Sequence, residues 1–320
     1  MPAHARVKRA VWIVVSIVSL GAVVWWATRQ HAPKFPTNAA GAGWLVASLG
    51  AYGVAIVLRG WRWHRILNLS RVPHERADAF WLIPVAYMGN TVLPLRGGEV
   101  LRISLLSKRA HVRWVAVLGT VIAERILDVA TLAVLFAVLT FGGVDGAPTG
   151  KVAAYVVGGL ILFAAALLFA YLVLRRRGYF NAFAGRIRPY AHASRLFAHA
   201  EGFMLAGVSG LIWLLEGATI MLVGRSLGIH LGLLAALLTN VIATLASAIP
   251  AGPAYAGSYD AGILLGLHAA GVKGGAATGF LILVRFVVFV PVTIVGLVVL
   301  VVRYGGLRRN RAATHLAVET

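Results

Sequence analysis

The chain has 320 residues, 60% hydrophobic and 12% charged, with 36 Gly and a mean hydropathy of +0.84, which excludes an ordinary water-soluble domain. The net charge of +20 fits either nucleic acid or the anionic face of a membrane, and the apolar content selects the membrane. The lack of Cys removes disulfide frameworks, Cys-based zinc sites and thiol catalysis, so compartment has to be read from topology.

Residues 1–10 carry Arg6, Lys8 and Arg9 and read as a cytoplasmic tail. The apolar run 11–27 ends in Trp25-Trp26 without a small-x-small cleavage site, which makes it a retained anchor rather than a signal peptide. Further apolar runs at 43–58, 114–141, 152–174, 205–227 and 276–302 bring the expectation to about six full spans. Two other apolar stretches, 79–106 and 231–268, are interrupted near their middles. The first break is Leu93-Pro94-Leu95-Arg96-Gly97-Gly98-Glu99 and the second is Ile249-Pro250-Ala251-Gly252-Pro253. Such interiors break helices. Broken backbone at membrane depth is tolerated only where protein or a water-filled cavity satisfies it, so each stretch is expected to be a re-entrant hairpin lining a cavity.

Counting basic residues gives the orientation. With the amino terminus inside, the segments 1–10, 59–113, 175–195 and 303–311 collect most of the 30 Lys and Arg, while the outer side receives Arg29, Lys34, Lys151, Arg225 and Lys273. The expected protein is therefore a single all-α polytopic membrane domain, 1–320, in the plasma (inner) membrane, with both termini, including the tail 303–320, cytoplasmic. The order span, hairpin, span occurs at about 43–141 and again, with opposite sense, at about 205–302, an inverted repeat resting on topology alone.

Five of the ten acidic residues fall in apolar or hairpin segments: Glu99, Glu124, Asp128, Glu216 and Asp260. Charges at that depth cost at least about 2.5 kcal/mol each and mark function or pairing. Arg125 and Arg285, also within spans, are their natural partners. Glu124 and Asp128 lie i, i+4, and Arg125 and Asp128 i, i+3, which gives one charged turn; Arg96, Glu99 and Arg102 repeat the i, i+3 spacing. The bland alternative is mutual neutralisation that only holds the bundle together. Glu216 stands alone in its span, and the Arg- and Trp-rich stretch 59–65 reads as an interfacial helix against headgroups. No catalytic motif is visible, and His192, His199, His230 and His268 build no ligand set, so neither metal nor cofactor is expected.

Asn90, Leu93, Pro94, Arg96, Gly98, Glu99 and Arg102, followed by Glu124, Arg125 and Asp128, resemble the signature of the lysylphosphatidylglycerol synthase transmembrane region family, over roughly 10–305. The family's carboxy-terminal hairpin resembles Pro250, Pro253, Ala254, Gly257 and Asp260, with Ala254 where a residue free to adopt positive φ is expected, so the geometry of this hairpin is expected to differ. The resemblance implies a flippase-like role, moving an anionic or otherwise polar-headed lipid, phospholipid or isoprenoid, between leaflets. It does not imply lysyl-lipid synthesis, because no aminoacyl-transfer domain is expected after residue 302. Arg96, Arg102 and Arg285 would then contact phosphate, while Glu99, Glu124, Asp128 and Asp260 orient them or take a cationic head. Pro94, Gly97, Gly98, Pro250, Pro253 and Gly257 would shape the breaks. An integral-membrane enzyme on a lipid headgroup and a proton-coupled solute transporter stay open, as do homo-oligomerisation and a lipid-synthesising partner.

Overall fold

The computed structural model describes residues 36, 38–93, 97–143, 200–248 and 253–305. The expected spans 11–27 and 152–174, both chain ends, and Pro94, Arg96 and Pro250 lie outside the described residues. What is described is helical, without a strand.

Helix α1, Ala39–Leu69, starts where the side chain of Asn38 accepts the Gly41 amide at 2.7 Å. It ends at Ser70 and Arg71, the latter at φ 52°. At 1.5 Å per residue it is about 46 Å long. Helix α2, Arg76–Val92, contains Pro84 and stops at Leu93. Helix α3, Gly97–Arg109, returns along it. The Asn90 side chain accepts the Gly98 amide at 3.0 Å across the break. A Cβ at Gly98 would collide with the Ala86 carbonyl, so only Gly lets these two helices approach this closely. Helix α4, Trp114–Phe141, completes the first half at Gly142 and Gly143, whose φ is 70°.

The second half repeats this order. Helix α5, Ala200–Ser226, is followed by α6, Leu233–Ser247, a 3-10 turn at Pro253–Tyr255, α7, Ser258–Ala269, and α8, Gly275–Val299, which continues as a π-helical turn over Leu300–Tyr304. Gly262 packs on Ala243 and Gly266 on Thr239, so α6 and α7 run antiparallel at close range. The 3-10 turn is left-handed at Ala254 and Tyr255, with φ 53° and 56°. The position expected to need positive φ thus does adopt it, although Ala fills it.

Exchanging the halves maps the packing onto itself. Contact of α1 with α2 corresponds to α5 with α6, α3 with α4 to α7 with α8, and α1 with α4 to α5 with α8; α4 with α5 corresponds to α8 with α1, and α2 with α8 to α6 with α4. The α1–α5 contact corresponds to itself and is the central seam. The repeat inferred from element order is therefore also a repeat of packing.

Three of these helices are long and apolar enough to cross a membrane: Ala39–Leu69, Ala200–Ser226 and Gly275–Tyr304. The chain is a multi-pass membrane protein. Its described core includes one cluster around Trp63, Leu82 and Ile103, which Tyr304 joins from the second half, and another around Ile263, Phe280 and Val284, which Tyr52 joins from the first. Where the two halves meet, apolar contacts such as Phe136 with Trp213 and Leu237 flank a polar centre.

Candidate functional site

The polar centre is assembled from α1, α3, α4 and α5. Arg59 and Arg62 are one turn apart on α1 and both buried, at 5% and 0% exposure. Arg62 donates to Asp128 at 2.8 Å and to the Ser209 hydroxyl at 2.7 Å, and lies 3.7 Å from Glu124. Arg59 donates to Glu216 on α5 and sits 3.7 Å from Asp128. Arg102 on α3 donates to Glu99 at 2.7 Å and to Glu124 at 2.8 Å, and its guanidinium lies 4.4 Å from the Trp63 ring centroid. Arg125 closes the set, donating to Glu99 at 3.1 Å with Asp128 at 3.3 Å. Arg59, Arg62, Arg102 and Arg125 thus balance Glu99, Glu124, Asp128 and Glu216, as burial in a medium of low polarity requires.

These groups form two tiers around a cavity of about 500 Å³. Arg59, Glu99, Arg125, Asp128, Glu216 and Asn240 line it, together with Tyr52, Tyr87, Trp213 and Tyr259. Arg62, Arg102 and Glu124 do not line it; they stand behind and fix the lining groups. The cavity touches Asn90 and Thr91 at the end of α2 and Ser247 and Ala248 at the end of α6. The described ends of α2 and α6 therefore border one charged, aromatic-walled space. Arg59 lies over Tyr87 and Trp213, 5.9 and 5.5 Å from their ring centroids, which compensates part of its lost hydration.

The sequence-predicted residues distribute unevenly over this arrangement. Glu99, Arg125 and Asp128 line the cavity, and Arg102 and Glu124 support it from behind. Asp260 and Arg285 form a separate two-point ion pair, at 2.6 and 2.8 Å, between α7 and α8. Asp260 also accepts the Gly257 amide at 2.9 Å and so caps α7. Gly97 and Gly98 begin α3, and Gly257, at φ 94°, precedes α7.

Two sequence readings need correction. The 59–65 stretch does not lie along the interface: α1 continues straight through it and buries Arg59, Arg62 and Trp63 in the bundle. Nor is Glu216 alone, since it pairs with Arg59 and accepts a longer contact of 3.4 Å from Asn240. The signal available in the sequence was the i, i+3, i+4 spacing of Arg59, Arg62 and Trp63, which puts all three on one helix face.

A second ionic cluster ties the ends of α2 and α3 to α8. Asp78, 1% exposed, accepts from Arg109 at 2.9 Å, Arg303 at 3.1 Å and the Tyr304 hydroxyl at 2.8 Å. Glu75 binds the same two arginines from the exposed side, and its hydrogen bond holds the Arg109 guanidinium above the usual arginine range. Among the described residues no cluster of His, Asp and Glu has a metal-binding arrangement.

Comparison with curated proteins and with solved structures returns no match. Comparison with family models does: residues 11–296 match the model described as Lysylphosphatidylglycerol synthase TM region. That match takes in all of the cavity-lining residues, both helix breaks and most of the Asp78 cluster, so the helix pairs and buried ion network described above sit within a chain that belongs to the lysylphosphatidylglycerol synthase transmembrane region family.

Proposed function

We propose that this protein translocates polar-headed lipids between the leaflets of the plasma membrane, with the head passing through the cavity between the two helix breaks and the chains remaining in the bilayer. The observation that carries the reading is the cavity itself: charged and aromatic, lined from both halves, inside a bundle three of whose helices are apolar enough to cross a membrane. Moving a lipid head through hydrocarbon is costly unless fixed polar groups replace its water. The cavity supplies them. Its lining presents both signs, Arg59 and Arg125 against Glu99, Asp128 and Glu216, which suits a head that combines a phosphate with an amine or hydroxyls.

In this reading α2–α3 and α6–α7 are re-entrant hairpins entering from opposite sides, and both termini are cytoplasmic. No covalent step is assigned to any residue. Gating by α6–α7 against a body that joins α2–α3 to α8 would expose the cavity alternately to each leaflet.

The test reconstitutes the full chain in liposomes with one class of headgroup-labelled lipid at a time and follows leaflet exposure with a membrane-impermeant quencher. Wild type is expected to accelerate exchange of at least one class, and Glu99→Gln and Arg125→Ala to lose most of that acceleration while remaining monodisperse. Exchange no faster than in empty vesicles for every class sinks the reading.

A further inference from the structure

A second concavity, about 880 Å³, runs along the outside of the bundle between α1, α2 and α8. Its walls are almost wholly apolar, with Leu49, Ile56, Phe80, Trp81, Val292 and Val295 among them. Two features set it apart from an ordinary lipid-facing surface. Tyr52 lines both this groove and the charged cavity, so the two spaces adjoin at this side chain. At its other end stands Arg76, exposed and without an ion pair among the described residues, its guanidinium 5.8 Å from the Phe80 ring centroid.

Pro84 in α2 and Pro291 in α8 both border the groove, and neither has an amide to close its helical hydrogen bond. Facing them on α1 is Gly53, where an added Cβ would meet nothing within 4 Å. The recess is therefore open on the α1 side.

We propose that this groove holds a hydrocarbon chain of a membrane phospholipid whose phosphate rests at Arg76, and that it is the lateral route by which a head reaches Tyr52 and then the cavity. The occupant follows from the lining: one cation at one end, an apolar trough beyond it, and a direct boundary with the polar cavity at the far end. A peptide would leave backbone groups unsatisfied in such a trough, whereas an acyl chain has none. A guanidinium at the mouth matches a phosphodiester by charge and by hydrogen-bond geometry. The route rests on the translocation reading; occupancy of the groove does not.

The experiment uses the full chain in phosphatidylcholine vesicles doped with phosphatidylglycerol that carries a photoactivatable group in its acyl chain, with crosslinked residues mapped by mass spectrometry. Labelling is expected to concentrate on Phe80, Trp81, Val292 and Val295, several-fold above Val134 and Val138, which are exposed on α4. Gly53→Trp, which fills the recess without forcing the backbone, should lower groove labelling several-fold and leave Val134 and Val138 unchanged. Arg76→Gln should lower labelling by the phospholipid but not by a diacylglycerol carrying the same chain. Groove labelling equal to that on α4, or indifferent to Gly53→Trp, overturns the proposal. Groove labelling as expected, in a protein that accelerates no lipid exchange, supports occupancy while removing translocation. Normal exchange in Gly53→Trp with groove labelling lost overturns the groove as the route.

Discussion

The two helix pairs occupy equivalent places in the repeat and both close on glycine, at Gly98 in one and at Gly262 and Gly266 in the other, but they differ in how much buried charge ties them to their neighbours. The α2–α3 pair is fixed at both ends by buried charge: Arg102 pins its break to Glu124 of α4, and Asp78 pins its open end to Arg109, Arg303 and Tyr304. Gly296 of α8 also packs directly on the Pro84 carbonyl. The α6–α7 pair is held by small-residue packing at Gly262 and Gly266, with one ion pair, Asp260 to Arg285, and the longer contact from Asn240 to Glu216. Ionic clamps in a poorly solvated bundle are specific in geometry and costly to break, while apolar sliding surfaces are neither. The comparison implies that α2–α3 moves as one body with α8, leaving α6–α7 as the more independent element.

Breaking the strongest clamp should show the largest effect. Arg102→Leu strips Glu124, 1% exposed, of its close partner and should destabilise the protein by about 3–5 kcal/mol, read as a lower unfolding midpoint in mild detergent. The paired change Arg102→Leu with Glu124→Leu should recover much of that loss, because no unpaired buried charge remains. Failure of the double variant to recover would mean that Arg102 acts through its other contacts, to Glu99 and Trp63.

At the open end, Asp78→Asn keeps the shape but removes the charge that three donors address, and a loss of about 1.5–3 kcal/mol is expected. Hydrogen exchange should then rise in α2, α3 and the last turns of α8 together. A rise confined to α2 would contradict the idea that the clamp unites them.

The α6–α7 clamp is partly exposed, with side-chain exposure of 21% for Arg285 and 17% for Asp260. Arg285→Met leaves Asp260 its bond from the Gly257 amide and should cost less than Arg102→Leu, about 1–3 kcal/mol. An equal loss to that of Arg102→Leu would erase the distinction between the two pairs. The smallest effect is a gain. Ala254→Gly relieves a left-handed residue in the turn before α7 and should stabilise by up to about 1 kcal/mol. Because Gly also loosens the unfolded chain, no gain at all would show that the two effects cancel there.

Helical class, membrane residence and both breaks were legible in the sequence, because hydropathy and helix-breaking residues act locally. The turn at Glu124, Arg125 and Asp128 was legible for the same reason, as i, i+3 and i, i+4 neighbours meet on any helix. The partners of these groups were not. Arg59 and Arg62 look alike in sequence whether they reach to headgroups or turn inward, since Arg and Trp near the end of an apolar run fit both. Glu216 looked solitary because its partner lies 157 residues away.

By itself, then, the sequence determined that the chain forms apolar helices, where they break and which residues carry charge into the membrane. Only the tertiary structure decided which of those charges face a cavity and which stand behind it, that Tyr52 borders both a polar space and an apolar one, and that the two halves pack by exchange. The physical reason is that helix formation and hydropathy are set by neighbours along the chain, whereas charge pairing in a poorly solvated interior depends on which helix faces meet, and those meetings are fixed by small-residue packing distant in sequence.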